Sequence, residues 1–320
     1  MRSLHWLLAL ALAAAISATH AQTGKWPEKP VRIIVAAPPG GGDDFVTRLI
    51  APKLAEQLGQ QFITENRPGA GGMIGQTAVM KSPPDGYTLL LAGGSMAGAR
   101  FVNAAVTYDV LRDFTPVSHV EISPFFMLTH PSVPARNLKE YIALARSQPG
   151  KMTYATLGAG QIPYWSAIWF NSMARIQAVD IAYKSFAEAT VDVISGRVDY
   201  FFAPSATYVA NKARMRALAV TSASRASQFP DVPTIAEAAL PGFDMPGWRS
   251  IMGPAGMHRD IVAQLNAAIG RALAMPDIRE RMLTAGSEPT PSTPEELTKK
   301  YAEWIERFGK IAKDAGIKPQ

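Results

Sequence analysis

The 320-residue sequence contains no cysteine. Disulfide bridges, thiolate metal sites and thiol nucleophiles are therefore excluded. Beyond the N-terminal segment there is no uncharged apolar run long enough to cross a bilayer. Runs of basic residues interleaved with aromatics are also missing, so we expect no nucleic-acid partner. The formal net charge of +6 indicates at most a mild attraction for acidic small molecules.

The first 21 residues differ from the rest of the chain. Arg2 precedes an apolar run from Trp6 to Ile16, and small residues follow up to Ala21. This order is typical of a secretory signal peptide, and we expect cleavage after Ala21. A retained anchor is the less favoured alternative, because the apolar run is too short to span a bilayer comfortably.

Short β-rich segments alternate with helical periodicity through most of the chain. The strand-like segments are 31–37, 60–64, 87–93, 152–156, 198–203 and 215–221. Residues 45–58 have a helical apolar face ending at Gly59, although Pro52 predicts a kink or a lost hydrogen bond on the solvent side. Residues 294–315 carry an apolar stripe that should pack a long helix onto the protein itself. The alternation predicts an α/β fold with parallel sheets flanked by helices.

Two places indicate that the chain crosses between lobes. A strand at 114–120 is followed by a second strand entered through Pro124, and a further strand begins near 247. We therefore predict two lobes after the signal peptide of residues 1–21. Lobe 1 comprises residues 22–122 together with 247–320, and lobe 2 comprises residues 123–246.

Three loops rich in glycine or serine follow predicted strands, at 38–44, 92–98 and 156–165. In parallel α/β sheets, ligands bind beyond the carboxyl ends of the strands, where loops lead into helix N-termini. Glycine allows close approach of the backbone, and the N–H groups and the helix dipole together favour an anion. A single loop of this kind could be merely a turn, but three of them in two lobes predict a ligand cleft.

Asp43 and Asp44 stand where the anion would bind. Either carboxylate could cap the helix by accepting a bond from the second or third helical N–H group, which leaves the amides of Gly40, Gly41 and Gly42 free. Capping is the expected role of Asp44, and the role of Asp43 stays open. A ligand carboxylate about 6 Å from such an acid would meet a repulsion on the order of 3 kcal/mol at an effective dielectric of about 20. Intervening water, or bonds from the other lobe, would reduce this repulsion.

The motifs of enzymes are incomplete in this sequence. "GGSMAG" differs from the nucleophile elbow because Ala97 replaces its last glycine, and "GAGGMIG" lacks the spacing of a dinucleotide fingerprint. His119, His130 and His258 stand at no motif spacing to a serine or an acid, and they form no metal-ligand cluster. We predict no catalytic residue, no metal and no cofactor; a secreted hydrolase is the alternative, and it would need a serine bonded to a histidine in the cleft.

Four segments follow one another in a characteristic order: "PPGGGDDFVTRLIAPKLAEQLGQ", "ENRPGAGGMIGQ", "PPDGYTLLLAG" and "RALAVTSASRASQFPDVPTIAEAALPGF". With them, the sequence closely resembles the Bug family, the extracytoplasmic solute-binding proteins of tripartite tricarboxylate transporters. The resemblance covers essentially the whole chain after the signal peptide. It implies a periplasmic binding protein of the two-lobed, type II-like Venus flytrap form, with each lobe a sheet flanked by helices. It also implies a small carboxylate as ligand and membrane permease subunits as partners; we expect a monomer.

The resemblance also implies which residues contact the ligand. In lobe 1 they are Pro39, Gly40, Gly41, Asp43, Asp44, Gly94 and Ser95. In lobe 2 they are Gly158, Gly160, Gln161, Lys184, Ser185, Phe186, Glu188, Ala203 and Ser205. We add Tyr164 as a candidate contact from a loop that departs from the family. The family holds one ligand carboxylate largely by backbone groups of lobe 1, often through water, so that no arginine is needed.

The second-lobe loops depart from those of many relatives. Gln161, Tyr164 and Trp165 replace small polar residues, which favours an aromatic carboxylate or a dicarboxylate as ligand. The alternative is that Tyr164 and Trp165 point into the helix–sheet core. Glu188 could meet a ligand amine or face solvent.

A ligand that contacts both lobes would favour a closed form, which could be presented to permease subunits. A ligand-sensing subunit of a signalling system would use the same closure. The sequence leaves uptake and sensing open.

Overall fold

The computed structural model of the protein describes residues 26–320. The predicted signal peptide, residues 1–21, lies outside the described residues. In chain order the elements are β1 (Val31–Val35), α1 (Gly42–Leu58), β2 (Phe62–Asn66), α2 (Met73–Met80), β3 (Thr88–Gly93), α3 (Val110–Asp113), β4 (Phe114–Ser123), β5 (Phe125–Thr129), α4 (Leu138–Ser147), β6 (Met152–Thr156), α5 (Ile162–Ala174), β7 (Ala178–Ala182), α6 (Phe186–Ile194), β8 (Tyr200–Pro204), α7 (Ser205–Asn211), β9 (Arg216–Val220), α8 (Ile235–Ala238), β10 (Gly247–Pro254), α9 (Arg259–Ala274), α10 (Pro276–Thr284), β11 (Glu288–Pro289) and α11 (Pro294–Asp314). Short 3-10 helices lie at Ala70–Gly72, Gly94–Ala97 and Ala99–Phe101.

The strands form two sheets, which confirms the α/β class. The six-stranded sheet has the order β11-β4-β10-β3-β1-β2, and the five-stranded sheet has the order β7-β6-β8-β5-β9. Neighbouring strands β1, β2 and β3 are parallel, as are β6, β7 and β8. The prediction of wholly parallel sheets is wrong for the strands beside the crossings. There β10 runs antiparallel to β3 and β4, and β5 runs antiparallel to β8 and β9, because the chain leaves and re-enters a sheet without a helical crossover.

The strands are distributed along the chain as three blocks. Strands β1–β4, β10 and β11 belong to the six-stranded sheet, and β5–β9 belong to the five-stranded sheet. Pro124 alone separates β4 from β5. Trp165, from the middle block, packs against Phe308 of α11 with the ring centroids 4.7 Å apart, so one apolar cluster reaches both sheets. The bounds of the two lobes stay a prediction.

Helix α1 leads from the first predicted glycine loop onto the six-stranded sheet. Gly59 ends it with φ +74°, in the left-handed region that glycine adopts without steric cost, and its N–H donates to the carbonyl of Ala55. Pro52 lies at an exposed position, and the helix continues through it. The proline removes one backbone donor on the solvent side only, which is why the helix tolerates it.

The C-terminal helix α11 confirms the predicted apolar stripe. Its buried face comprises Leu297, Tyr301, Trp304, Phe308 and Ile311. Thr293 and Glu296 form a capping box at its start, in which each side chain accepts a bond from the other residue's backbone N–H. The stripe is covered by this protein itself: Trp304 and Phe308 pack edge to face, and Trp304 also meets Trp248 of β10.

Candidate functional site

The loops predicted to bind an anion lie at the carboxyl ends of parallel strands. The loops after β1 and β3 meet at one edge of the six-stranded sheet, because these two strands are adjacent. The loop after β6 belongs to the five-stranded sheet, yet an ideal Cβ on its Gly160 would lie 3.3 Å from the side chain of Val102. The third loop therefore approaches the region that follows β3.

The start of α1 differs from the predicted cap. The N-cap residue is Gly41, and no side chain caps it. Asp44 is the third helical residue, and its carboxylate turns back to accept the N–H of Gly40 at 3.0 Å and Nε of Arg48 at 2.9 Å. The prediction that Asp44 accepts from inside the helix, with the amide of Gly40 left free, is wrong, because the exposed turn with φ +84° at Gly40 presents its N–H to the buried carboxylate instead. The donors left for an anion are those of Gly41 and of the first helical residues.

The carboxylate of Asp44 should make stability depend on pH in the acid range. The hydrogen bond from Arg48, followed by that from Gly40, lowers the pKa of Asp44 from 3.8 to about 2. Because the folded state holds this group ionised, its contribution is complete above pH 3.8 and is lost as the pH falls towards 2. Asp44→Asn should therefore cost about 2 kcal/mol at neutral pH, since one unit of pKa corresponds to about 1.4 kcal/mol. Urea unfolding of both proteins should show the difference shrinking between these two pH values; a difference that stays constant would contradict the assignment.

Asp43 is paired with an arginine that the sequence analysis missed. Arg249 of β10 donates from Nε to Asp43 Oδ1 and from Nη1 to Glu121 Oε1, with a further bond from Nη1 to Ser123 Oγ at 3.3 Å. The side chain of Glu121 is 0% exposed, that of Arg249 is 21% exposed and that of Asp43 is 35% exposed. Burial disfavours the charged guanidinium, but the two carboxylates outweigh it and raise the pKa of Arg249.

The backbone places this cluster beside the predicted loops. Arg249 lies opposite Gly93 at the end of β3 on one side and opposite Glu121 of β4 on the other. A bulge follows Arg249 in the pairing with β4. The guanidinium thereby reaches the N-terminus of α1, where an ideal Cβ on Gly42 would lie 2.7 Å from Nη2. An arginine therefore lies beside the predicted lobe-1 loops, although the resemblance implied that the carboxylate is held largely by backbone groups, with no arginine needed.

The residues predicted around the start of α6 form a local network. The Oγ of Ser185 accepts the N–H of Glu188 at 3.2 Å, and the carboxylate of Glu188 accepts the N–H of Lys184 at 3.1 Å. Glu188 is exposed, in agreement with the alternative that it faces solvent. Phe186 stacks on Phe125, at the crossing between the sheets, with the centroids 6.3 Å apart and the planes at 27°.

Trp165 lies in the hydrophobic core. It is 0% exposed and packs against Phe308, and its Nε1 lies 2.9 Å from an ideal Cβ on Gly98. Tyr164 is partly buried and meets Trp165 edge to face, and burial raises the pKa of Tyr164. Most of the aromatic surface expected from Tyr164 and Trp165 therefore packs against the protein itself and is not available to a ligand.

The predicted residues after β8 are also covered in this conformation. Ala203 is buried within β8. Ser205 is buried against Gly286, since an ideal Cβ there would overlap the Ser205 hydroxyl. Neither side chain is available to a ligand in this arrangement. The predicted contact of Ala203 and Ser205 with a ligand stays a prediction.

A small cavity brings together predicted residues of both sheets. It has a volume of about 70 Å³ and is lined by Ser95 from the loop after β3 and by Gly160 and Gln161 from the loop after β6. Gln76 and Tyr108 also line it, and within residues 26–320 no partner is found for the buried Oε1 of Gln76 or the hydroxyl of Tyr108. These two orphaned polar atoms mark a place suited to water or to a polar ligand group.

Among residues 26–320, no histidine forms a catalytic arrangement at the predicted cleft. His130 Nδ1 lies 2.6 Å from Ser132 Oγ, but in an exposed turn at the end of β5 opposite to the crossing. His119 is buried, with Nδ1 against the backbone of Thr290 and Nε2 3.0 Å from the Lys300 amine. Desolvation, followed by the charge of Lys300, lowers the pKa of His119 to about 3. In the described part of the chain no group of three or more histidines and acids could hold a metal ion; nor is any helix there long and apolar enough to cross a membrane.

Comparison with known proteins identifies relatives that match this chain over nearly its full length. BugT of Bordetella pertussis is 32% identical over 316 residues, which cover 98% of this chain and 97% of BugT. A solved structure of Rpa4515 of R. palustris with adipate is 30% identical, with a TM-score of 0.80 over 92% of this chain and 100% of that one. The structure of the periplasmic binding protein BugD is 28% identical, with a TM-score of 0.77 and the same coverage.

The family assignment rests on these relatives and on a family model. The model, described as a tripartite tricarboxylate transporter family receptor, matches residues 46–317. The relatives confirm the resemblance to the Bug family and the binding-protein fold, and they show a solute-binding protein instead of an enzyme. Binding proteins of this family are periplasmic. The chain belongs to the receptor family of tripartite tricarboxylate transporters.

Proposed function

We propose that this protein captures a small carboxylate between its two lobes in the periplasm and delivers it, as a monomer, to the permease subunits of a tripartite tricarboxylate transporter. The observation that carries the proposal is the convergence of hydrogen-bond donors at one edge of the six-stranded sheet. Helix α1 begins there with Gly41 at its N-cap, and Arg249 lies beside it. A helix N-terminus attracts an anion, and the guanidinium, whose charge is already paired, adds hydrogen-bond donors beside it.

The body of the ligand would lie on apolar surface between the sheets. Phe125 and Phe186 form a stacked pair beside the crossing, and each is only partly buried. A dicarboxylate with an apolar chain, or an aromatic carboxylate, suits this combination of donors and aromatic faces. The bound adipate of Rpa4515 is a dicarboxylate of this kind.

Closure of the lobes on the ligand is the proposed mechanism. The first-lobe loops at Gly41 and Ser95 would bind one carboxylate, and the loops at Gln161 and Lys184 would add contacts from the second lobe. A ligand with contacts in both lobes stabilises the closed form by its differential affinity. Signal-peptide cleavage after Ala21 would release the protein into the periplasm.

A ligand panel tests the proposal. Residues 22–320 would be titrated calorimetrically with adipate, succinate, benzoate, terephthalate and alanine, and scattering would follow lobe closure. At least one carboxylate should bind with a micromolar Kd, about −8 kcal/mol, and should stabilise the fold by about 2.7 kcal/mol at 100 times Kd. If none of the five compounds, each of which carries a carboxylate, binds, the proposal is wrong.

A pair of substitutions at Gly41 separates capture by the backbone from non-specific binding. Gly41→Pro removes one N–H group at a φ of −83°, which proline can approach, whereas Gly41→Ala keeps the N–H group, and an ideal Cβ there is 3.9 Å from its nearest neighbour. Loss of a bond to a charged group should weaken carboxylate binding about 10-fold in Gly41→Pro. Gly41→Ala should bind like the original protein; equal affinities of the two variants would argue against this amide.

A further inference from the structure

We infer that Arg249 is the specificity-determining residue of the site, that it binds the ligand carboxylate at the N-terminus of α1, and that Asp43 beside it excludes ligands with a second acid group at that end. This rests on the proposed function. The preferred class is therefore monocarboxylates and dicarboxylates whose two acids are far apart, while compact tricarboxylates are disfavoured.

The guanidinium has donors left for a ligand. Arginine carries five N–H groups, of which Nε serves Asp43 and Nη1 serves Glu121 and Ser123. Within residues 26–320, the hydrogen bonds of this guanidinium use Nε and Nη1, and none is formed by Nη2. The side chain as a whole keeps 21% of its surface exposed, and the two Nη2 donors are the ones left for an incoming oxygen.

The open edge of the guanidinium points to the start of α1. The position of a Cβ on Gly42 lies 2.7 Å from Nη2, so the guanidinium occupies the space that glycine leaves. The backbone N–H groups of the first turn have no acceptor inside the helix. A carboxylate docked here would accept one bond from Nη2 and one from the helix, a charge-assisted pair with fixed geometry.

The two acids hold the arginine and shape its selectivity. Glu121 is fully buried, and its Oε2 has no partner within the described residues, so its charge is committed to Arg249. Asp43 is more exposed and flanks the open edge. A second acid group on the ligand near Asp43 would face this carboxylate without a free guanidinium donor of its own, and it would be repelled. A single carboxylate can use Nη2 and the helix without coming between Arg249 and Asp43.

The variants are chosen to keep the fold. In the double variant Glu121→Gln/Arg249→Gln both buried charges are removed together, so neither is left unpaired. Arg249→Lys keeps a charge for Glu121 but loses the fork. Arg32→Gln is the control, since Arg32 lies on β1 of the same sheet, pairs with Glu65 and has no part in the site. Circular dichroism and thermal melting would confirm folding of each variant.

Calorimetry with adipate and citrate measures the outcome. The original protein should bind adipate more tightly than citrate; the double variant and Arg249→Lys should each lose about 10- to 100-fold in adipate affinity, with Arg32→Gln unchanged. Asp43→Asn should raise the affinity for citrate more than that for adipate.

The contrary results are distinct from failure of the proposed function. If the original protein binds no carboxylate, the proposed function fails. If it binds adipate and the folded double variant and Arg249→Lys bind it equally well, the role of Arg249 is overturned while the function stands. If Asp43→Asn leaves the ratio of citrate to adipate affinity unchanged, the exclusion by Asp43 is overturned.

Discussion

Replacing Trp248 with alanine is expected to lower the free energy of unfolding by about 3–5 kcal/mol. Trp248 is 2% exposed and stands directly before Arg249 on β10. Its indole meets Tyr301 and Trp304 of α11, with centroids at 4.8 and 5.3 Å, and the Lys300 amine lies 5.0 Å from the ring centroid. The truncation would leave a cavity between the six-stranded sheet and the helix that covers it.

The contact between Trp248 and Gly94 gives this prediction a sharper form. An ideal Cβ on Gly94 would lie 2.5 Å from the indole, closer than side chains come in folded proteins. Gly94→Ala should therefore destabilise the original protein but cost little once Trp248 is alanine, since the added methyl group then enters the cavity. Urea unfolding of the two single variants and of the double variant measures the coupling. Additive losses would show that Trp248 and Gly94 do not compete for the same space.

The strands and helices could be predicted from the sequence because their signals are local. The segment 152–156 was predicted as a strand from its own β-branched and aromatic residues, and it is β6. The stripe from Leu297 to Ile311 likewise needs only helical periodicity. Glycine loops after strands are local signals too, which is why the edge that carries the candidate site could be named.

The partners within the site could not be predicted, because they depend on pairing across the chain. Arg249 meets Asp43 across 206 residues and Glu121 across 128 residues. Only the register of β10 between β3 and β4, with its bulge, brings them together. An arginine in the strand that returns from the second sheet is a weak signal, since its partners Asp43 and Glu121 lie far from it in sequence.

The roles of aromatic and acidic side chains were also decided by packing. Trp165 follows a glycine loop, as a ligand-binding residue would, but Phe308 and the space at Gly98 hold it in the core. Asp44 stands at the third helical position instead of the cap, because the helix begins at Gly42 and not at 45. The apolar periodicity does not indicate the extra turn of helix at residues 42–44. That turn changes which backbone amides the carboxylate of Asp44 can reach.

Replacing Arg249 with methionine is expected to cost about 3–5 kcal/mol at neutral pH, because it leaves the carboxylate of Glu121 buried without its counter-ion. Glu121 is 0% exposed and Arg249 is its ion-pair partner among the described residues. Urea unfolding of both proteins at neutral pH measures this loss. An unchanged free energy of unfolding would show that the carboxylate of Glu121 is compensated without Arg249.

The double variant Glu121→Gln/Arg249→Met should recover most of this stability at neutral pH, because no buried charge is then left alone. The matched change elsewhere is Arg32→Met, whose partner Glu65 is partly exposed and should need no rescue. The double variant could regain its stability and still bind carboxylates weakly. That result would show that Glu121 positions the arginine and that Arg249 binds the ligand. If stability and binding return together, Arg249 serves the fold alone, because the ligand would then be captured by the amides of α1 without it.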